Sequence, residues 1–304
     1  MSLGKFDGVD LVNIGKVVNL PVINIGKVCG NLFSLKGSAW ATTSDLNAVR
    51  NVLAGCGTAF AALSFGGDTG NNTGGDTTEI WSGSSWATTS VLNQARWALA
   101  GCGTTSDALS FGGYTVTYSN VTEKWSGSSW ATTSALIVAK YVLAGCGITS
   151  AALSFGGTPG NSSTSIWNGS LWSTTNNNLY QGRYALAGCG ITSAALAIGG
   201  SIGSASNLCD KWNGSTWSTT TVLNQARYGL AGCGTTSDAL SFGGYTTGNR
   251  VNVSEMWDGS SWFTTSNMNK GRRYLAGCGD VSVALSFGGE DNQPQNSSVT
   301  EIWL

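Results

Sequence analysis

The chain has 304 residues, of which 15 are basic, 16 acidic and none histidine. So sparse and balanced a charge excludes the basic surplus of a nucleic-acid protein. The lack of histidine removes Ser-His-Asp and Cys-His catalysis and histidine-bearing metal sites. No stretch is long and apolar enough to span a bilayer, and the N-terminus lacks the apolar core of a secretory signal, so neither membrane insertion nor Sec export is expected.

Residues 1–36 carry a period of eleven, read as "SLGKFDGVDLV", "NIGKVVNLPVI" and "NIGKVCGNLFS", marked by Gly4-Lys5, Gly15-Lys16 and Gly26-Lys27. Pro21 argues against one continuous helix. Extended segments this small do not fold alone, so residues 1–36 are expected to anchor the chain on its own propeller, on sister chains or on a larger particle.

From residue 37 a longer period takes over. Ala-Gly-Cys-Gly occurs six times, at Cys56, Cys102, Cys146, Cys189, Cys233 and Cys278, in steps of 43–46 residues. A Gly-Gly pair follows each cysteine, from Gly66-Gly67 to Gly288-Gly289, and then two tryptophan series recur, one through Trp81 to Trp303 and one through Trp40 to Trp262. Self-similarity at this period signals a repeat architecture. The second copy reads as four strands: a over 97–104, b over 107–111, c over 121–125 and, after the tight turn "SGSS", d over 129–133. Four antiparallel strands in about 45 residues make a propeller blade. The expected fold is therefore all-β, a six-bladed propeller over 37–304. The chain ends on a strand c, "EIWL", and the repeat begins on a strand d, "GSAWATT". These two ends are expected to complete the sixth blade and close the ring, which leaves only short, protected edges.

A basic residue stands six before each cysteine, and an acid stands two before each strand-c tryptophan. The pairs are Arg50 with Glu79, Arg96 with Glu123, Arg183 with Asp210, Arg227 with Glu255 and Arg272 with Glu301. The third blade departs at both positions, with Lys140 and Ser165. Joint departure implies contact within a blade, since the arginine fork fits a carboxylate and lysine does not. An acid repeated blade after blade reads as architecture rather than catalysis. The repeat cysteines read as small buried strand residues; Cys29 and Cys209 stand outside the pattern, and no metal or cofactor is expected.

Strand alternation puts the a–b and c–d loops on one face and the b–c and d–a loops on the other. The c–d turns are alike, whereas the b–c loops differ in length and content, which places recognition on them. Their polar amides and occasional aromatics suit hydroxyl-rich ligands such as glycans, and equally plain solvated turns. The ligand candidates are Tyr114, Tyr118 and Asn120 in blade two, Tyr245, Asn249 and Arg250 in blade five, then Asp68, Asn71 and Asn72, with Glu290 and Asp291 after them. Trp97 follows Arg96 where other copies have Asn51, Tyr141, Tyr184, Tyr228 and Arg273, a position expected near the channel mouth, for packing or for ligand contact.

The order Arg96, "ALSFGG", "TEKW", "SSWATT", "LIVAK" resembles the kelch repeat, over residues 37–304. Kelch folds serve many functions, so the resemblance implies a propeller and little about activity. The glycine-rich "LAGCGT…LSFGG" is also similar to kelch-like repeats of bacteriophage tail and other virion proteins. That likeness implies a non-enzymatic virion component, anchored to other virion proteins through residues 1–36, with its loops turned to a host-surface glycan or protein receptor and homo-oligomers compatible with the anchor. An intracellular kelch adaptor is the alternative, although 36 residues leave no room for a partner domain such as BTB. A carboxylate-dependent glycan hydrolase is a further one. Kelch-like galactose oxidases need histidine ligands that this chain lacks, and "WDGSSW" from Trp257 matches the sialidase box only superficially.

Overall fold

The computed structural model describes residues 37–70, 74–158, 162–292 and 296–304. The anchor expected over 1–36 lies outside the described residues, as do Asn71 and Asn72. The described residues form 24 strands and no helix, in six four-stranded antiparallel sheets arranged as a propeller. Blade one is Ala54–Gly57, Ala62–Phe65, Thr78–Trp81 and Trp86–Thr89, hydrogen-bonded in that order. Blade six takes Ala276–Gly279, Ala284–Phe287 and Thr300–Trp303 from the C-terminal end and Trp40–Thr42 from the N-terminal side. Trp40 pairs with Trp303 and Thr42 with Glu301, so the N-terminal strand d closes the ring beside the C-terminal strand c, as the sequence leads one to expect.

The repeated letters are packing instructions. In strand a the glycine of Ala-Gly-Cys-Gly takes the strand-b phenylalanine of the preceding blade: a Cβ on Gly101 would lie 2.3 Å from Phe65 Cζ. The following cysteine points between blades and is buried in every copy. The strand-d tryptophan packs edge-on against that same phenylalanine, as Trp130 does on Phe65 with centroids 4.9 Å apart. Its indole donates back to a strand-c hydroxyl of the preceding blade, Trp130 Nε1 to Thr78 Oγ1 at 2.9 Å and Trp40 Nε1 to Ser254 Oγ at 3.0 Å. The strand-c tryptophan instead bonds within its blade, Trp81 Nε1 to the Ala59 carbonyl at 2.9 Å. Each blade thus carries half of its neighbour's core, and six interblade clusters replace one central core.

The strand expected over 97–104 is shorter, Ala100–Gly103. Its first residues leave the sheet to build the channel mouth.

Candidate functional site: the mouth of the channel

The b–c loops and the d–a segments meet at one end of the propeller. Single antiparallel bridges join Asn51 to Asp68, Trp97 to Tyr114, Tyr141 to Thr158, Tyr184 to Ser201, Tyr228 to Tyr245 and Arg273 to Glu290. The residue after each basic residue is thereby clamped to the residue after each Gly-Gly pair. One residue further in, the backbone closes on itself. Val52 N–H donates to Tyr274 O, Ala98 to Val52, Val142 to Ala98, Ala185 to Val142, Gly229 to Ala185 and Tyr274 to Gly229, all at 2.6–2.9 Å. All six belt residues have φ between 45° and 62°, and five of them are not glycine. Left-handed backbone at a non-glycine residue is strained by about 1–3 kcal/mol, so the belt holds only because the six blades fix its ends. Gly229 is the exception because Tyr274 covers it: a Cβ there would lie 3.0 Å from the Tyr274 ring.

Above the belt lies a bowl of about 430 Å³, lined by Asn51, Val52, Asp68, Trp97, Tyr141, Val142, Thr158, Tyr184, Tyr274 and Glu290. Its two sides differ. At blades two and three, Trp97, Tyr114, Tyr118 and Tyr141 form one aromatic cluster. Tyr118 stacks on Tyr141 with centroids 5.0 Å apart and planes at 22°, and Trp97 lies 5.0 Å from Tyr114. Tyr118 is 45% exposed, so its face is open to a ligand. Burial, then the neighbouring Tyr118 and Tyr114, raise the Tyr141 phenol above its ordinary 10.0, which keeps it a neutral donor at pH 7.

At blades five and six the counterparts of Tyr118, Trp97 and Tyr114 include the charged Arg250, Arg273 and Glu290, beside the aromatic pair Tyr228 and Tyr245. Glu290 accepts from Arg273 Nε at 2.7 Å and also from Arg250 Nη2. Arg273 lies over the Tyr245 ring at 4.7 Å and the Tyr274 ring at 5.2 Å, both within cation–π range. Burial works against both charges, but hydrogen bonds and Coulomb attraction outweigh it, holding Glu290 below and Arg273 above their ordinary values. Burial also pushes the Tyr274 phenol up to about 12.

The structure therefore brings Trp97, Tyr114 and Tyr118 together, and separately Tyr245 and Arg250, with the Arg250 charge held in an ion network. Asp68 is buried and its Oδ1 accepts from Gly70 N–H at 3.0 Å. Asn120 and Asn249 are exposed, and their carbonyls hold the loops by accepting from Leu136 and Thr246 N–H. Asp291 sits 3.5 Å from Lys270. Tyr141, Tyr184 and Tyr274 line the bowl although loop variability alone does not single them out. The signal for the first two is the aromatic column that starts at Trp97.

Beneath the bowl the basic and acidic columns meet. Arg50 donates through Nη1 to Gly66 O (2.8 Å) and Thr77 O (3.0 Å), and through Nη2 to Ser64 Oγ and Glu79 Oε1, each at 2.8 Å. The pairs Arg96–Glu123, Arg227–Glu255 and Arg272–Glu301 repeat this at 2.8–2.9 Å, all fully buried. Burial pulls these guanidinium groups below their ordinary value, and the paired glutamates oppose that shift. A third partner escaped the sequence reading: Asn47, Asn93, Asn224 and Asn269, each three before the arginine, donate backbone N–H to the glutamate at 2.6–2.8 Å. In blade four, where Tyr180 replaces the asparagine and Ala197 the serine, Arg183 turns and meets the shorter Asp210 at 2.8 Å. These charges neutralise one another inside the blades and offer no free acid or base to a ligand.

No protein-family model matches the sequence, and no curated protein matches it.

Proposed function

We propose that the protein is a non-enzymatic recognition module that binds a neutral, hydroxyl-rich ligand, a glycan of a host surface, at the aromatic side of the bowl, and that it serves as a virion structural component. The observation that carries the glycan reading is the cluster of Trp97, Tyr114, Tyr118 and Tyr141 beside a 430 Å³ bowl. Tyrosine and tryptophan offer large apolar faces with a polar edge, which suits stacking on a sugar ring and bonding to its hydroxyls. At the bowl's other side Arg273 and Arg250 are both held on the Glu290 carboxylate, so these side chains are turned to one another. The virion placement is supported by the likeness of the repeats to phage tail proteins and is checked by whether the chain co-sediments with phage particles.

Titration of the full-length protein with a panel of bacterial surface glycans tests the binding. Tyr118→Ala and Tyr141→Ala should each weaken binding at least tenfold, while Phe263→Ala, exposed on an outer strand, should leave it unchanged. Binding that survives both tyrosine substitutions would move the site elsewhere. The absence of any glycan binding would overturn the reading.

A further inference from the structure

We infer that blade three binds a small monovalent anion, of halide size, in the place that a glutamate carboxylate holds in blades one, two, five and six. The backbone of that place is the same in blade three as elsewhere. Ser154 pairs with Ser165 across strands b and c in the register that pairs Ser110 with Glu123 in blade two. Leu136 N–H and Lys140 N–H donate to the carbonyls of Asn120 and Ser119, just as Leu92 and Arg96 donate to those of Asp76 and Gly75. The donors that serve the glutamate therefore remain. In blade two, Asn93 N–H and Gln94 N–H reach the two Glu123 oxygens at 2.7 and 3.3 Å. Ile137 and Val138 occupy these positions in blade three, and among the described residues neither N–H has an acceptor.

Two buried side chains lack the partners that their blade-two counterparts have, where Arg96 donates both to Glu123 and to Ser110 Oγ. Lys140 is 1% exposed and Ser154 0% exposed, and neither Lys140 Nζ nor Ser154 Oγ has a hydrogen bond among the described residues. Ser165, 4% exposed, brings a hydroxyl where glutamate would bring its carboxylate. The shared register sets an ammonium, two serine hydroxyls and two backbone N–H groups around the position where one negative charge sits in the other blades. A buried cation without a counter-charge is strongly unfavourable, and one monovalent anion supplies the missing charge and accepts from every donor. Serine in place of glutamate removes the three atoms of the carboxylate. Burial alone lowers the lysine to about 8, so it is still predominantly charged at pH 7.

The test uses sodium bromide on the full-length protein at pH 7, against the triple variant Ile137→Asn/Lys140→Arg/Ser165→Glu, which carries its own carboxylate. Linkage predicts a saturable rise in Tm with bromide, about 2–4 °C near ten times Kd, in the natural chain beyond that of the variant. Bromide NMR on the natural chain gives a second readout that does not depend on the variant folding: excess line broadening that chloride competes away. Equal Tm responses in the two proteins, or bromide lines that do not broaden, would show that Lys140 is met by water or discharged, and would overturn the inference.

Discussion

Blades two and three are neighbours on one backbone plan, and they answer the same burial problem differently. Blade two fills its centre with Asn93, Arg96, Ser110 and Glu123, every one bonded to another. Blade three puts Ile137, Lys140, Ser154 and Ser165 at the same register and still forms four antiparallel strands, of 5, 5, 4 and 3 residues. The blade therefore does not need its ion pair in order to fold. What the two share is the frame of glycine, cysteine, phenylalanine and tryptophan between blades. That agrees with the general weakness of buried ion pairs as a source of net stability, and with the severity of breaking one.

The shared part should give the largest effect. Burial raises the thiols of Cys102, Cys189 and Cys278 from 9.0 to about 12 and Cys209 to about 11, and lifts Cys56, Cys146 and Cys233 in the same direction. Above pH 9 the unfolded chain loses these protons while the folded chain keeps them. Their contribution is thus whole below pH 9 and falls as the pH climbs toward 12, by roughly 1.4 kcal/mol per pH unit for each thiol. Denaturant titrations from pH 8 to 11 should show this decline, and Cys102→Ala and Cys146→Ala should each flatten it by the same amount. Unequal flattening would break the idea of a common frame. Lys140 acts with the opposite sign: its folded value of about 8 lies below 10.5, so the penalty is complete below pH 8 and is relieved between pH 8 and 10.5. Lys140→Met should remove that contribution.

The next effect separates the blades. Glu123→Ala strands Arg96 as a buried unpaired charge and should lower stability by about 3–5 kcal/mol. Ser165→Ala removes a hydroxyl that bonds to nothing among the described residues and should leave the denaturation midpoint almost unmoved in halide-free buffer. Similar losses in both would mean that blade three has a counter-charge of its own even without halide.

The smallest effect repairs a defect at another blade boundary. Trp262 Nε1 has no acceptor among the described residues, because Cys209 stands where Thr78, Thr122, Thr164 and Thr300 accept from the tryptophans of other blades. The usual phenylalanine beside it is Ile198. Cys209→Thr should gain about 1 kcal/mol, seen by calorimetry as a higher Tm. No rise would mean that the indole already has a water partner.

The six blades, the four-strand unit, the closing of the ring and the pairing of the arginine and acid columns are all legible in the amino-acid order. All of these repeat at a fixed period, and period carries strand alternation and phase. The joint departure at Lys140 and Ser165 was legible for the same reason, although the asparagine that accompanies each glutamate, at an equally fixed offset, went unread. The tertiary structure alone decided what crosses from blade to blade. Trp262 meets Cys209, the aromatic column from Trp97 meets the loop tyrosines in one cluster, and six backbone segments close a strained belt. Such contacts join residues that are one blade apart or, for Trp40 and Ser254, 214 positions apart. Their geometry depends on how sheets twist and pack around an axis, which no single period of the chain records.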